Sequence, residues 1–442
     1  MRKMSAVIFW LGVLAALATL GLPGAFASGF ALVEQSGKGL GEAFAGGRTD
    51  TDDPSSLFYN PSAMAFMTSN SVGVSLSAID ISTKFKDDGS RTATGQPLTG
   101  DDGGDGGTLG MVPNVYYVQK VTEIVGLGLG VNAPFGLASK YGNDWKGRYH
   151  GVESDLSVIG ISPTVAVQVL PDLLSLGGSL NIQYADAKLT NAIDFGTILM
   201  GAGTTPQTLD GFADLSGDDW ALGYSLGLLC TVTPDTRIGI GYRSKVDHNL
   251  SGNVDFDVPP VARAILNAAG LSNYFTDTHA TARLTLPESL AGGVYQRISK
   301  CIAVMADVSW TRWSRFKELT VNFDSGQAPS TTEENWEDTM CYRLGVNYFP
   351  DEQWVIRAGT AYDESPIKTA YRTPRIPDND RVWLTLGAGY QVTEDLRLDL
   401  SYAYLFISDS KSNLLTEPSR GYLIGKYDST INIFALEGVL TF

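Results

Sequence analysis

Few residues in this 442-residue chain are equipped for chemistry, and most of those sit where the chemistry could not run. Gly223-Tyr224-Ser225-Leu226-Gly227 has the spacing of a hydrolase nucleophile motif, which requires a sharp strand-to-helix turn to present its serine. Here it lies inside an alternating run, 220–230, so a chance match is expected and no catalytic residue is assigned. His150, His248 and His279 lack metal-ligand spacing. They are expected to be satisfied surface residues, and no metal or cofactor is predicted. Gly126, Gly128 and Gly130 lack the setting of a phosphate loop and suit a strand face packed closely on another segment. The acidic run 100–107 could hold calcium, but without EF-hand spacing it reads as a solvated loop. Cys230, Cys301 and Cys341 are odd in number and widely separated, and read as free thiols.

The basic residues are more informative. Arg237, Arg243, Lys245, Arg343, Arg357 and Arg381 are placed opposite the apolar face of their alternating segments. A guanidinium binds a carboxylate through two parallel hydrogen bonds, so Arg243, Arg343 and Arg381 are candidates to receive an acidic ligand. The alternative is neutralisation by Asp399, Glu437 and the N-terminal Glu34, Glu42, Asp50, Asp52 and Asp53. Two connecting segments carry unusual hydrocarbon: 192–212, with Phe195, Ile198, Leu199 and Met200, and 259–275, with Val261, Ile265, Leu266, Leu271 and Phe275 near helical spacing. Loops seldom carry that much apolar surface without a partner. Two short helices packed together, or a greasy groove between them, would account for it.

The elements that must position these residues follow from periodicity. Residues 1–27 have Arg2 and Lys3, an apolar run and Ala25-Phe26-Ala27, the pattern of a cleaved signal peptide. Its removal takes the formal charge from −16 to −18, which disfavours nucleic acid as a partner. Residues 28–67 are too apolar for a tail and too broken for a ladder, with Pro54 and Pro61 each lacking a backbone donor. They read as a plug. From residue 68 to 442 the signal is alternation with period 2, over about fourteen segments, with no apolar run long enough for a membrane helix. Short turns such as Pro171-Asp172 alternate with long polar loops, aromatics gather at strand ends, and the chain closes on Phe442, as in outer-membrane barrels. One strand is interrupted by Ala133-Pro134-Phe135-Gly136-Leu137, where a lost donor and a permissive glycine predict a kink that opens the wall. The expected fold is all-β: a fourteen-stranded antiparallel transmembrane β-barrel plugged by an N-terminal hatch.

The sequence resembles the FadL-type outer-membrane transporters of long-chain fatty acids and other hydrophobic compounds. The likeness rests on Gly29-Phe30, Gly39-Leu40-Gly41, the plug motif Asn60-Pro61-Ser62-Ala63, Val112-Pro113-Asn114, Leu286-Pro287-Glu288, Trp313-Ser314-Arg315-Phe316 and Ile376-Pro377-Asp378-Asn379-Asp380-Arg381, in that order. The resemblance implies a monomer in the outer membrane of a Gram-negative bacterium, whose partners are membrane lipid and a hydrophobic small molecule. The ligand would be caught between the outer loops after strands 5 and 7, passed to a lumenal pocket, and released sideways at the third strand, near Pro134, Phe135 and Gly136. Fatty-acid members place basic side chains near the ends of strands 5 and 10, where this chain has Asn191 and Glu337. That departure raises an uncharged hydrocarbon, such as a monoaromatic, as the alternative ligand. An outer-membrane lipid hydrolase, which would need Ser225 to be reactive, and an adhesive barrel are the competing classes.

Overall fold

A computed structural model describes residues 29–442; the expected signal segment lies outside the described residues. The architecture is one antiparallel sheet closed on itself. Its first six strands are β1 (Ser71–Asp87), β2 (Leu109–Lys120), β3 (Val125–Lys140), β4 (Glu153–Leu170), β5 (Leu174–Asp194) and β6 (Asp210–Thr233). The next four are each built in two pieces: β7 (Thr236–Arg243, Val246–Asp257), β8 (Thr278–Leu286, Ser289–Ser299), β9 (Ile302–Thr311, Glu318–Phe323) and β10 (Ser330–Glu333, Thr339–Tyr348). Then come β11 (Trp354–Asp363), β12 (Arg381–Gln391), β13 (Leu396–Ile407) and β14 (Leu423–Thr441), with a short strand Ser410–Leu414 annexed to β14. Strand β14 pairs with β1 from Ser71↔Thr441 to Asp87↔Gly425, so the fourteen strands close. Closure pairs both edges of the sheet, the condition for strands to cross hydrocarbon. Helices are few: α1 (Gly37–Gly41), α2 (Ser56–Tyr59), α3 (Phe195–Ile198) and α4 (Pro260–Ala268).

Alternation does the sorting. In β5, Ser175, Ser179, Asn181 and Gln183 face the lumen and are buried, while Leu176 and Leu180 face outward. Leu222, Leu386, Leu400 and Leu436 are each more than half exposed, a belt of apolar surface that only lipid can cover. Turns at one end are short, as at 171–173 and 234–235, and loops at the other are long, as at 141–152, 258–277 and 364–380. The cysteines are unpaired.

One orientation differs from expectation. In β7, Arg237 and Arg243 point inward, but the break at Ser244 and Lys245 changes the phase, so that Val246, His248 and Leu250 are buried and Lys245 turns outward to pair with Asp247. A shift of one residue reverses every later side chain.

Candidate functional site

Inside the barrel, residues 29–67 run across the lumen and are mostly buried. The wall accepts them closely because glycines face them. A Cβ on Gly227 would lie 2.0 Å from Asn60 Oδ1, on Gly239 2.0 Å from the Arg48 carbonyl, and on Gly177 2.4 Å from the Ser62 amide. On this flat patch the side chain of Asn60 donates to the carbonyls of Arg48 (2.7 Å) and Leu228 (3.0 Å) and accepts from Ser62, while Ser175 donates to the Ser62 carbonyl at 2.9 Å. Asn60, Pro61, Ser62 and Ala63 are all buried here. Gly126 and Gly128 similarly accommodate Met64 and Leu57.

The other end of this segment meets the interrupted strand. Strands β2 and β3 pair only from Val115↔Val131 to Lys120↔Gly126, so β3 from Asn132 onward has no partner in β2. Against β4, Asn132↔Gly160 is followed by Phe135↔Val158, one extra residue on β3, which is a β-bulge. Lumen-facing positions change from even (Gly128, Gly130, Asn132) to odd (Phe135, Leu137, Ser139) across Pro134. The freed edge is met from inside: Leu32 N–H donates to the Pro134 carbonyl at 2.9 Å, Gly136 N–H to Phe30 at 3.0 Å, and Gln35 Nε2 to the Ala133 carbonyl at 2.8 Å. A single stretch of the N-terminal segment thus stands in for β2 at the gap.

Three cavities lie above and beside it. An outer groove of about 350 Å³ runs between the apolar loops, with Ile198, Phe256, Phe275 and Phe323 among its lining. Below it is a pocket of about 80 Å³ lined almost wholly by hydrocarbon, including Leu137, Leu156, Leu250 and Leu284. The two share Leu189, Leu215, Leu319 and Arg375. A third cavity, about 120 Å³, is lined by Pro134, Phe135, Arg243 and Arg343. An aromatic cluster separates the second from the third: Phe30 packs on Trp313 (centroids 4.8 Å), Trp336 (5.6 Å), Phe316 (5.8 Å) and Phe135 (6.0 Å). Gly29, at φ +62°, begins this turn, and a Cβ there would strike Trp336 at 2.7 Å.

The greasy loop residues divide. Phe195 and Leu266 are buried against each other's helices with Leu199 and Phe275 around them, and Phe195 meets Phe275 edge-on at 4.9 Å. Ile265 is half-buried, while Ile198, Met200 and Val261 remain exposed. Both expected arrangements therefore coexist: α3 and α4 pack together, and Ile198 and Phe275 also line the groove.

Most lumenal arginines are already paired. Arg343 bonds Asp307 (3.0 Å) and Ser309 (2.7 Å), Arg381 pairs with Asp378 (3.0 Å), and Arg357 with Asp399 (2.7 Å) and Glu42 (3.4 Å). Asp53, Asp399 and Glu437 converge closely enough to suggest a metal, but Arg397 is bonded to both aspartates and supplies the positive charge. Arg243 differs. Among the described residues it has no carboxylate within 4 Å and its buried Nη1 finds no acceptor, while it stacks 4.0 Å over the Phe58 ring and donates one bond to the Phe58 carbonyl.

Arg375, which periodicity could not single out because it lies in the loop 364–380, is a half-buried cation of the pocket with no salt bridge among the described residues. Its donors reach only neutral oxygens: the carbonyls of Glu153 (3.2 Å) and Thr190 (3.4 Å), Ser154 Oγ (2.9 Å) and Asn191 Oδ1 (3.3 Å). Burial, with Arg420 nearby, pushes its pKa down to about 10 against the opposing pull of the Glu334 and Glu417 carboxyl groups, so it stays charged at neutral pH. The sequence signal is Pro374-Arg375-Ile376-Pro377, a cation between two prolines that are both buried. Glu337, by contrast, is exposed and pairs with Lys368 at 2.6 Å.

The remaining chemical candidates are accounted for. Ser225 accepts a bond from Asn181 Nδ2 at 2.8 Å and bonds no histidine or carboxylate among the described residues. His150 and His248 are buried, contrary to the surface placement expected of them; loops fold back over the barrel mouth and cover His150, whose Nε2 meets the Gly421 carbonyl at 3.1 Å. Burial pushes the His150 pKa down to about 3 and keeps it neutral. His279 is exposed, between Ser251 and Asp324. In the acidic loop, Lys146 sits between Asp87 (3.2 Å) and Asp102 (3.0 Å) and Asp105 accepts from Ser82 and the Thr83 amide, so these carboxylates are already engaged.

A closed, lipid-belted barrel with apolar cavities in series has the architecture of a membrane transport barrel. The sequence matches, over residues 18–442, the family described as outer membrane protein transport protein (OMPP1/FadL/TodX). It is 29% identical over 395 residues to a long-chain fatty acid transport protein of Escherichia coli O6:H1, covering 86% of this chain and 87% of that one. It is 30% identical over 425 residues to outer membrane protein P1 of Haemophilus influenzae, covering 89% of each. The crystal structure of a Pseudomonas aeruginosa FadL homologue superposes with a TM-score of 0.88 at 25% identity, covering 93% of this chain and 99% of that one. The fold is shared with the Pseudomonas putida toluene transporter TodX, with a TM-score of 0.68 at 17% identity over 88% of this chain and 94% of that one. The chain belongs to the FadL/TodX family of outer-membrane transport proteins for hydrophobic substrates.

Proposed function

We propose that the protein carries long-chain fatty acids passively across the outer membrane. The ligand enters the outer groove at Ile198 and Phe275 and descends past Leu189, Leu215 and Leu319 into the apolar pocket. Its carboxylate is met by Arg375, whose guanidinium stands beside Asn191 and takes the place of the basic side chain absent from the end of β5. Movement of Phe30 out of its aromatic cluster joins that pocket to the cavity beside Pro134, Phe135 and Gly136. The gap between β2 and β3 then leads into the bilayer. Residues 28–67 act as the hatch. Desolvation of the alkyl chain, worth about 25 cal/mol per Å² of apolar surface buried, draws the ligand in, and its concentration gradient supplies the direction.

The observation that carries this reading is the shared lining of groove and pocket, which includes a half-buried guanidinium free of any salt bridge among the described residues. Equilibrium binding of oleate and toluene to the detergent-purified protein tests it, with Arg243→Ala alongside. Oleate should bind, and Arg243→Ala should weaken it by less than about tenfold, since Arg243 lies beyond the aromatic cluster and would meet the carboxylate only in transit. Toluene bound with oleate excluded would replace the fatty acid by an uncharged hydrocarbon. Binding of neither would remove the transport route altogether.

The exit has its own test. Deleting Pro134 removes the extra residue, restores one register between β3 and β4 and closes the wall. Oleate binding in detergent should persist while uptake by cells falls to that of cells lacking the protein. Undiminished uptake would place the exit elsewhere.

A further inference from the structure

The breaks in β7 to β10 fall at one level and leave a second irregularity in the wall, facing outward. Below it β8 and β9 pair as Ser289↔Thr311; above it they resume as Ala282↔Val321, three residues out of step, so 283–286 and 312–320, though 283–286 pair with β7 and 318–320 with β10, form no ladder with each other. A groove of about 360 Å³ opens there on the outer surface. Its rim carries Lys245, Arg283, Arg315 and Lys317. Asp247 is shared by Lys245 and Arg283, and Glu288 by Arg312 and Arg315, whereas Lys317 has no carboxylate within 4 Å. Among the residues lining the groove, four cations face two carboxylates, Asp247 and Glu318, with Glu333 and Asp338 just beyond the lining, in a chain of net charge −16. Immediately below lie the lipid-facing Leu290, Val308 and Tyr342. The groove therefore sits where the apolar belt gives way to the headgroups of the outer leaflet.

We propose that this groove is a binding site for the phosphate of an outer-leaflet glycolipid, a phosphorylated sugar headgroup whose acyl chains lie along Leu290 and Val308. Ammonium and guanidinium groups on two strands and the 312–317 turn grip the phosphate, and the excess of positive charge draws it from an anionic surface. Phe316 forms the floor of the groove while also lining the apolar lumenal pocket. Headgroup binding thus braces the wall behind the ligand site.

The test uses the full-length protein in detergent micelles and a bisphosphorylated diglucosamine lipid, with its phosphate-free analogue and inorganic phosphate as the other arms. Retention is read by native mass spectrometry and by titration. The wild type should hold the phosphorylated lipid, and the triple variant Lys245→Gln, Arg283→Gln, Lys317→Gln should bind it about 10- to 100-fold more weakly. Heat-modifiable migration on gels reports that the barrel has formed, and Lys317→Glu alone serves if the triple variant does not fold. Equal retention by variant and wild type, or equal retention of the phosphate-free analogue, would overturn the site. Displacement by inorganic phosphate at concentrations matching the lipid would reassign the groove to a free anion and overturn the lipid.

Discussion

Replacing Arg375 by methionine is expected to weaken oleate binding about 10- to 150-fold and to leave toluene binding within about twofold, because a charge-assisted hydrogen bond to a carboxylate is worth about 1.5–3 kcal/mol. Methionine keeps an unbranched apolar stem about as long as the methylene chain of arginine in the pocket that Leu189 and Leu215 also line. What it removes is the cation, and with it a charge-assisted contact for a carboxylate whose desolvation would otherwise oppose entry. The same guanidinium ties the loop 364–380 to Glu153, Ser154, Thr190 and Asn191, so a purely structural role would also lower affinity. Two readouts separate the roles. Loosening of the loop would weaken oleate and toluene alike, whereas an anion receptor affects oleate alone. Arg375→Lys, which retains charge but cannot reach all four oxygens, should recover much of the oleate affinity if charge is what matters. Fluorescence displacement with both ligands at neutral pH decides this, and equal losses for the two would sink the assignment.

The barrel was legible because its information is local. Ser175, Ser179 and Asn181 against Leu176 and Leu180 state their faces within a few residues, and such alternation counts out the strands. The kink was legible for the same reason: after Pro134 the lumenal set passes from even to odd numbers, a phase slip contained in Asn132 to Leu137. The second phase slip leaves no local mark, since Ser244-Lys245 has neither proline nor glycine, and unbroken alternation puts Lys245 in the lumen. Long-range return was not readable at all. Arg375 reaches Asn191 from a loop 184 residues away in sequence, and buried His150 meets the Gly421 carbonyl from a loop far along the chain. No periodicity encodes either contact. The Asn191 position shows the consequence: from sequence it looked like the loss of a cation, while in space the cation arrives from another loop.

The seat of the N-terminal segment yields the other large effect. Gly227→Val should leave a folded barrel whose conductance in planar bilayers is raised about 5- to 150-fold, because overpacking of this kind costs about 1–3 kcal/mol and shifts the closed state toward one with the segment displaced. The even smaller Cβ of alanine would already lie 2.0 Å from Asn60 Oδ1 and 2.9 Å from the Ser62 amide, and neither can retreat without breaking the bonds from Asn60 to Arg48 and Leu228. Strand β6 itself cannot yield, because Gly227 is held between Gly177 of β5 and Gly241 of β7 in continuous ladders. The opposing anchor is electrostatic. Arg397 binds Asp53, Arg357 binds Glu42, and Glu437 accepts from Ser36 and the Lys38 amide. Removing one partner of such a buried pair costs about 3–5 kcal/mol, so Arg397→Ala should release the segment from the other side and produce the same leak. If the motif Asn60-Pro61-Ser62-Ala63 were only packing material, either substitution would lower thermal stability without admitting ions. Conductance that rises in both variants while the barrel stays heat-modifiable would instead identify the glycine patch and the Arg397 cluster as the two latches of one hatch.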